Sequence, residues 1–178
     1  MPFLPVQAIW INLVTNGLQD VAMAFEPAED VVGLRPPRSP REGVMTRQMI
    51  ERTIVVGLVL LVGTLAIFIW QLSAQTGFRE ARTVAMTTMV LFQNFHIFNS
   101  RSFTKHFFQI NPLSNRLLLS SIAGALGLHV VALYWAPLQF VLNTEPLRVD
   151  TWLVMVAVAA SVLLAVELDK TIRQWRRG

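Results

Sequence analysis

The sequence predicts an all-α membrane protein, a bundle of five transmembrane helices, and three observations lead to this fold class. Of the 178 residues, 53% are hydrophobic and only 15% are charged, whereas soluble domains are about one quarter charged. The mean hydropathy is +0.50. The apolar residues form long runs, and most basic residues lie between those runs.

The first predicted helix, at about 4–25, is long enough to span a membrane but has polar residues in its middle. About 20 residues cross the roughly 30 Å of hydrocarbon. The spacing of these residues places the first four on one helical stripe, with the fifth one turn beyond the third; they are Asn12, Thr15, Asn16, Gln19 and Asp20. Gly17 directly follows the central pair, Thr15 and Asn16. We therefore expect this helix to be unwound near its centre, where backbone carbonyls would become available as cation ligands.

Four further apolar runs predict helices at about 53–72, 83–99, 117–136 and 150–167. The run at 83–99 also contains polar residues, namely Thr87, Thr88, Gln93, Asn94 and His96. A single histidine in such a run is more often packed or hydrogen-bonded than a metal ligand. Gln93 gains interest from the resemblance described below.

The segment 26–52 is predicted to be a cytoplasmic loop. It contains Pro27, Pro36, Pro37 and Pro40, which disfavour a regular helix, and it carries five arginines and five acidic residues. One interpretation is a contact surface for another domain. The alternative is a solvated linker that lies on anionic lipid.

Basic residues predict the orientation, since cytoplasmic loops are enriched in Lys and Arg. Twelve of the fifteen basic residues fall in segment 26–52, in the segment before the fourth helix or in the C-terminal tail. These segments are therefore expected in the cytoplasm, with the N-terminus outside, in a multi-pass protein of the plasma (inner) membrane. The basic charge is then explained by topology and by contact with the lipid bilayer, and no nucleic acid is expected as a partner.

The polar stripe of the first helix has two interpretations. Amide, hydroxyl and carboxylate oxygens are hard donors, suited to Ca²⁺, Mg²⁺, Mn²⁺, Na⁺ or K⁺. Alternatively, the same side chains hold helices together by hydrogen bonds, and Asp20 is simply hydrated near the cytoplasmic end. The absence of cysteine excludes disulfides, Cys-ligated metals and a thiol nucleophile.

Several motifs together resemble a known family. In chain order they are WINLVTNGLQDVAMAFEP, RPPRSPREG, VLFQNFHIFNSRS, LHVVALYWAPLQFVL and DTWLVMV. Nearly the whole chain resembles the C-terminal membrane region of P-type cation-transporting ATPases of the calcium-pump type, from the sixth to the tenth membrane helix. The WxNLxT core and the RPPRSP run are the most specific of these motifs.

The resemblance implies a set of ion-binding residues. In the family the sixth helix is unwound and coordinates the transported ion through an Asn, a Thr and an Asp, which match Asn12, Thr15 and Asn16. A Glu of the eighth helix matches Gln93. Two carboxylates of the family are thus amides here, which suggests fewer ions per cycle or an ion of lower charge, and Asp20 is a further candidate ligand. The transported cation would be Ca²⁺ by resemblance.

The chain lacks the DKTG phosphorylation motif and a nucleotide-binding domain. It is therefore expected to be a membrane-embedded part that does not hydrolyse ATP alone, with ATP and Mg²⁺ acting only in the intact pump. Its expected partners are the first five membrane helices and the cytoplasmic domains, since it begins like a chain cut inside a larger membrane domain. The alternative is a free-standing structural or regulatory membrane protein from a truncated pump gene, and a passive pore is a weaker third candidate.

Overall fold

The computed structural model describes residues 1–27, 45–102 and 109–175. In these ranges the chain forms six α-helices, one 3-10 turn at Pro112–Ser114 and no strand. The helices are α1 (Pro5–Met23), α2 (Arg47–Ser73), α3 (Phe78–Ser100), α4 (Arg116–Tyr134), α5 (Ala136–Leu142) and α6 (Val149–Trp175). The all-α prediction is confirmed, and all five predicted helices are present, but the short α5 makes a sixth.

Three of these helices are long and apolar enough to cross a membrane: α2, α4 and α6. Within the described ranges, α1 and α3 do not meet this criterion, so the prediction of five spanning helices is confirmed only in part. Both helices carry many polar side chains for their length. In α3 five of these are buried, because this helix lies at the centre of the fold: Thr83, Thr87, Thr88, Asn94 and Asn99.

The helix α2 begins earlier than predicted, at Arg47, so the expected loop 26–52 does not extend to residue 52. Thr46 caps the helix, because its hydroxyl accepts a hydrogen bond from the backbone N–H of Met49 at 3.2 Å. Arg47 and Glu51 then form an ion pair one turn apart. Residues 28–44 of this predicted loop, including Pro36, Pro37 and Pro40, lie outside the described residues.

The unpredicted helix α5 follows α4 after a single residue, Trp135, which has an extended backbone. Pro137 occupies its first turn, where the missing N–H costs no hydrogen bond. The helix ends at Asn143, whose φ of 52° is left-handed. Pro137, inside an apolar run, therefore marks the start of the separate helix α5.

The core is built around α3, which packs against α1, α2 and α6, while α1 also packs against α4. Val84, Met86 and Phe92 of α3 are fully buried, and the largest cluster joins them to Met155 and Val162 of α6. This arrangement buries one side of α1. The other side remains exposed.

The helix α1 is continuous from Pro5 to Met23, which contradicts the predicted unwinding near Gly17. A glycine costs a helix about 1 kcal/mol relative to alanine but removes no backbone hydrogen bond. The neighbouring polar side chains also bond to the helix itself. Thr15 donates to the carbonyl of Ile11 at 2.7 Å, and Asn12 donates to that of Ala8 at 3.2 Å.

Candidate cation site between two helices

The predicted polar stripe of α1 divides between two environments. Thr15 and Gln19 are buried, with 1% and 2% of their surface exposed. Asn12, Asn16 and Asp20 lie on the exposed side of the helix. The stripe therefore lies along the boundary between the packed and the open side of α1.

Thr15 brings α1 into contact with α3. Its hydroxyl forms a hydrogen bond with Oε1 of Gln93, so these two predicted site residues are neighbours although 78 residues separate them. Oδ1 of Asn16 lies 3.4 Å from the same hydroxyl. Three predicted residues thus place their oxygens around one point between the two helices.

The amides of Asn12 and Asn16 form a line along the exposed side of α1. Nδ2 of Asn16 donates to Oδ1 of Asn12 at 2.9 Å, and Asn12 donates in turn to the backbone of Ala8. Because Nδ2 of Asn16 bonds to Asn12, Oδ1 of Asn16 faces Thr15. This orientation adds Asn16 to the oxygen cluster.

Gln19, in contrast, makes a helix-to-helix hydrogen bond. Its Nε2 donates to Oδ1 of Asn94 on α3 at 2.8 Å, and Asn94 donates to the carbonyl of Val90 at 2.7 Å. Both side chains are buried and bonded to protein. Of the two interpretations of the stripe, the structural one fits this residue.

Asp20 and His96 are not part of the oxygen cluster. Among the described residues, no hydrogen bond connects Asp20 to Asn16, Thr15 or Gln93. His96 is partly buried, and its Nε2 lies 3.3 Å from the hydroxyl of Ser100 on the same helix. This environment is that of a packed histidine.

His129 was not among the residues predicted from the sequence, yet it binds α1 to two other helices. Trp10 donates from Nε1 to Nδ1 of His129 on α4 at 3.2 Å, and Nε2 of His129 lies 3.1 Å from the hydroxyl of Thr87 on α3. The only sequence signals were a lone histidine in the apolar run of α4 and the polar cluster of α3.

The donors of the cluster are neutral oxygens from hydroxyl and amide groups. In the part of the chain that the structure describes, no group of three or more His, Cys, Asp or Glu side chains lies close enough to hold a metal. Neutral oxygens suit hard cations rather than thiophilic metals. Within the described residues, the nearest ligands of any cation at this point would be the uncharged side chains of Thr15, Asn16 and Gln93.

The described ranges form a helical bundle in which three helices are long and apolar enough to cross a membrane and polar side chains join the inner helices. This is the architecture of a multi-helix membrane protein. Comparison with protein families then identifies the family to which the chain belongs. The family described as "Cation transporting ATPase, C-terminus" matches residues 1–172, and the chain belongs to this family. The predicted resemblance is confirmed.

Individual relatives agree with this assignment. The chain is 29% identical over 176 residues to the "Probable cation-transporting ATPase F" of Mycobacterium tuberculosis (strain ATCC 25618 / H37Rv), a match that covers 99% of this chain and 19% of that protein. It is 32% identical over 161 residues to the "Calcium-transporting ATPase" of Bacillus subtilis (strain 168), covering 90% of this chain and 18% of that protein. For the human "Calcium-transporting ATPase type 2C member 1" the identity is 29% over 175 residues, covering 98% and 19%. The chain therefore spans about a fifth of the length of these relatives.

Proposed function

We propose that this chain is the membrane-embedded part of an ATP-driven cation transporter and that its α1–α3 contact supplies ligands to the transported cation. The proposed ligands are the side-chain oxygens of Thr15, Asn16 and Gln93, with Asn12 beside them. The convergence of polar side chains from α1 and α3 at Thr15 is the single observation that carries this proposal. The hydroxyl of Thr15 contacts Ile11 O and Oε1 of Gln93, and Oδ1 of Asn16 lies 3.4 Å from it.

A cation at this point would have several neutral oxygens within reach. The Thr15 hydroxyl donates its proton to Ile11 O at 2.7 Å, which leaves its lone pairs toward the two amide side chains. A bound cation would attract all three oxygens at once. Further ligands would approach from the exposed side of α1, where Asn12 and Asp20 lie.

The substrate is proposed to be Ca²⁺, because two of the relatives are described as calcium-transporting. The neutral side chains of Asn16 and Gln93 weaken the preference for a divalent ion compared with carboxylates. Asp20 is proposed as a carboxylate that offsets part of this loss from the next turn of α1.

This chain matches about one fifth of each relative, which supports a pump in which ATP hydrolysis takes place in the other four fifths. ATP, Mg²⁺ and the phosphorylated aspartate would act in the rest of the pump, and this chain would respond to them without catalysing hydrolysis. Its partners would be the other membrane helices and the cytoplasmic domains, together with the lipid bilayer.

We also propose that α1 and α3 cross the membrane with α2, α4 and α6, with the N-terminus outside. The positions of the basic residues support this topology. At one end of the bundle Arg101 of α3 contacts Glu26, and Arg173 of α6 contacts Glu51. At the other end Arg79 lies 3.7 Å from Glu145. The first end would face the cytoplasm.

Replacing Thr15 by valine tests the ligand proposal in the full natural protein that carries this sequence. Valine keeps the shape of the side chain but removes the hydroxyl, so cation-stimulated ATP hydrolysis is expected to be lost. Thr88→Val on α3 is the matched control, because within the described ranges its hydroxyl bonds only to Val84 of its own helix, at 2.8 Å. Unchanged activation of Thr15→Val by every cation tested would overturn the proposal. A natural protein without a phosphorylation domain would support the structural or regulatory alternative.

A further inference from the structure

The C-terminal end of α1 is fixed by a junction of three residues, Glu26, Arg101 and Asn115, which we call the α1 end junction. Arg101, at the end of α3, donates from Nε to Oε1 of Glu26 at 2.8 Å, and its Nη2 lies 2.7 Å from the same oxygen. The Arg101 side chain is 2% exposed and that of Glu26 is 14% exposed. This buried ion pair therefore links the residues that follow α1 to α3.

Asn115 completes the junction from the start of α4. Its Nδ2 donates one hydrogen bond to the carbonyl of Ala22 in the last turn of α1 and one to Oε2 of Glu26, both at 2.9 Å. Its Oδ1 accepts a hydrogen bond from the N–H of Leu118 at 2.9 Å and so caps α4. With 3% of its surface exposed, Asn115 bonds to the last turn of α1, to Glu26 and to the first turn of α4.

Arg101 also connects this junction to the turn that precedes α4. Its Nη2 donates to the carbonyl of Asn111 at 3.2 Å and to the hydroxyl of Ser114. The turn at 111–115 is thereby bonded to the end of α1 through Arg101 and Asn115. A displacement of this turn would be transmitted to α1.

We propose that Asn115 and Arg101 are positioning residues for the cation site, which they influence by holding the end of α1. This inference rests on the proposed function of the Thr15 cluster. Ala22 lies seven residues beyond Thr15, about 10 Å along a continuous helix. Because α1 has no break in between, the rotation and height of its end set where Thr15 and Asn16 stand relative to Gln93.

The change Asn115→Asp removes the hydrogen bonds of the α1 end junction but keeps the N-cap of α4. Aspartate keeps an acceptor oxygen for Leu118 and is a strong N-cap residue. It lacks the N–H groups that bind Ala22 and Glu26, and its carboxylate faces the carboxylate of Glu26. Asn111→Asp is the matched control, because the Asn111 side chain caps the 3-10 turn through Leu113 and, among the described residues, makes no hydrogen bond to α1.

The experiment measures cation-stimulated ATP hydrolysis of the full natural protein as a function of Ca²⁺. For Asn115→Asp the concentration for half-maximal activation is expected to rise about tenfold while the maximal rate changes less than about twofold, because the ligands remain present but are misplaced. Asn111→Asp should leave both values within about twofold. Arg101→Lys, which keeps the charge but not the paired contact, should raise the half-maximal concentration by about threefold and serves if Asn115→Asp does not fold.

Equal half-maximal concentrations in Asn115→Asp and Asn111→Asp would overturn the positioning role, while activation of the wild type would still support the cation site. A wild type that no cation activates would instead overturn the proposed function, and with it the positioning role. Hydrogen exchange at the amides of residues 22–26 then decides whether the junction itself exists. Faster exchange in Asn115→Asp alone supports the junction, and equal exchange in both variants overturns it.

Discussion

Trp10 donates a hydrogen bond from its indole nitrogen to Nδ1 of His129, 3.2 Å away, and this bond joins α1 to α4 across 119 residues. Because Nδ1 accepts, the neutral imidazole carries its proton on Nε2 and donates it to the hydroxyl of Thr87 at 3.1 Å. One buried side chain therefore holds three helices together. The bond lies in the half of α1 that precedes the Thr15 cluster, while the α1 end junction lies beyond it.

His129→Phe removes both hydrogen bonds and leaves two polar groups without partners. We expect a loss of stability of about 1–3 kcal/mol, the usual cost of an unsatisfied buried donor. Thermal unfolding of the purified protein in detergent measures it. His96→Phe is the control, because among the residues that the structure describes His96 bonds only to Ser100 of its own helix and one of its ring nitrogens has no partner. Equal unfolding temperatures for the two variants would contradict the linking role of His129.

Gly63→Ala tests how closely α2 packs against α3. A Cβ at this position would lie 2.5 Å from the ring of Phe92, which is fully buried and would have to shift within the core. Overpacking of this kind costs about 1–3 kcal/mol, so a lower unfolding temperature is expected. Gly57→Ala on the same helix is the matched control, since nothing lies within 4 Å of its Cβ position. Its helix should gain up to about 1 kcal/mol, and a loss as large as that of Gly63→Ala would refute the packing argument.

The helices were predictable because long apolar runs need internal backbone hydrogen bonds in lipid, and this rule depends on local sequence only. The contact between Thr15 and Gln93 depends instead on how α1 packs against α3, so spacing along α1 did not predict that Thr15 is buried and Asn12 exposed. The resemblance to the family named both residues, but it also implied an unwound helix that α1 does not show. Polar end turns such as that at Arg47 were missed because their helical state comes from capping and ion pairs, which hydropathy does not register.

Asn16→Asp places a carboxylate at the position where the oxygen cluster meets the exposed side of α1. The added negative charge should shift the preference of the site toward divalent cations, because their attraction to a carboxylate is stronger than that of monovalent ions. The measurement is the ratio of the Ca²⁺ and Na⁺ concentrations that half-activate ATP hydrolysis in the full natural protein. Asn143→Asp adds the same charge at an exposed, left-handed position at the end of α5, away from the oxygen cluster. It should leave this ratio unchanged. An unaltered ratio in Asn16→Asp would show that Asn16 is not a ligand.

Gln19→Leu distinguishes helix association from ion binding within one helix. Gln19 and Asn94 are hydrogen-bonded to each other at 2.8 Å, and both are buried. A double-mutant cycle with Asn94→Leu should give a coupling energy of about 1 kcal/mol in thermal unfolding, as for other hydrogen bonds between membrane helices.

The same Gln19→Leu variant should keep the wild-type Ca²⁺ concentration for half-maximal activation, because its amide serves α3 and not the Thr15 cluster. Thr15→Val should show the opposite behaviour, with lost activation and a smaller change in unfolding temperature, since Thr15 contributes its hydroxyl to the oxygen cluster. If Gln19→Leu also abolished activation, the buried side of α1 would act as one unit. The division of the polar stripe into a structural side and a ligand side would then be wrong.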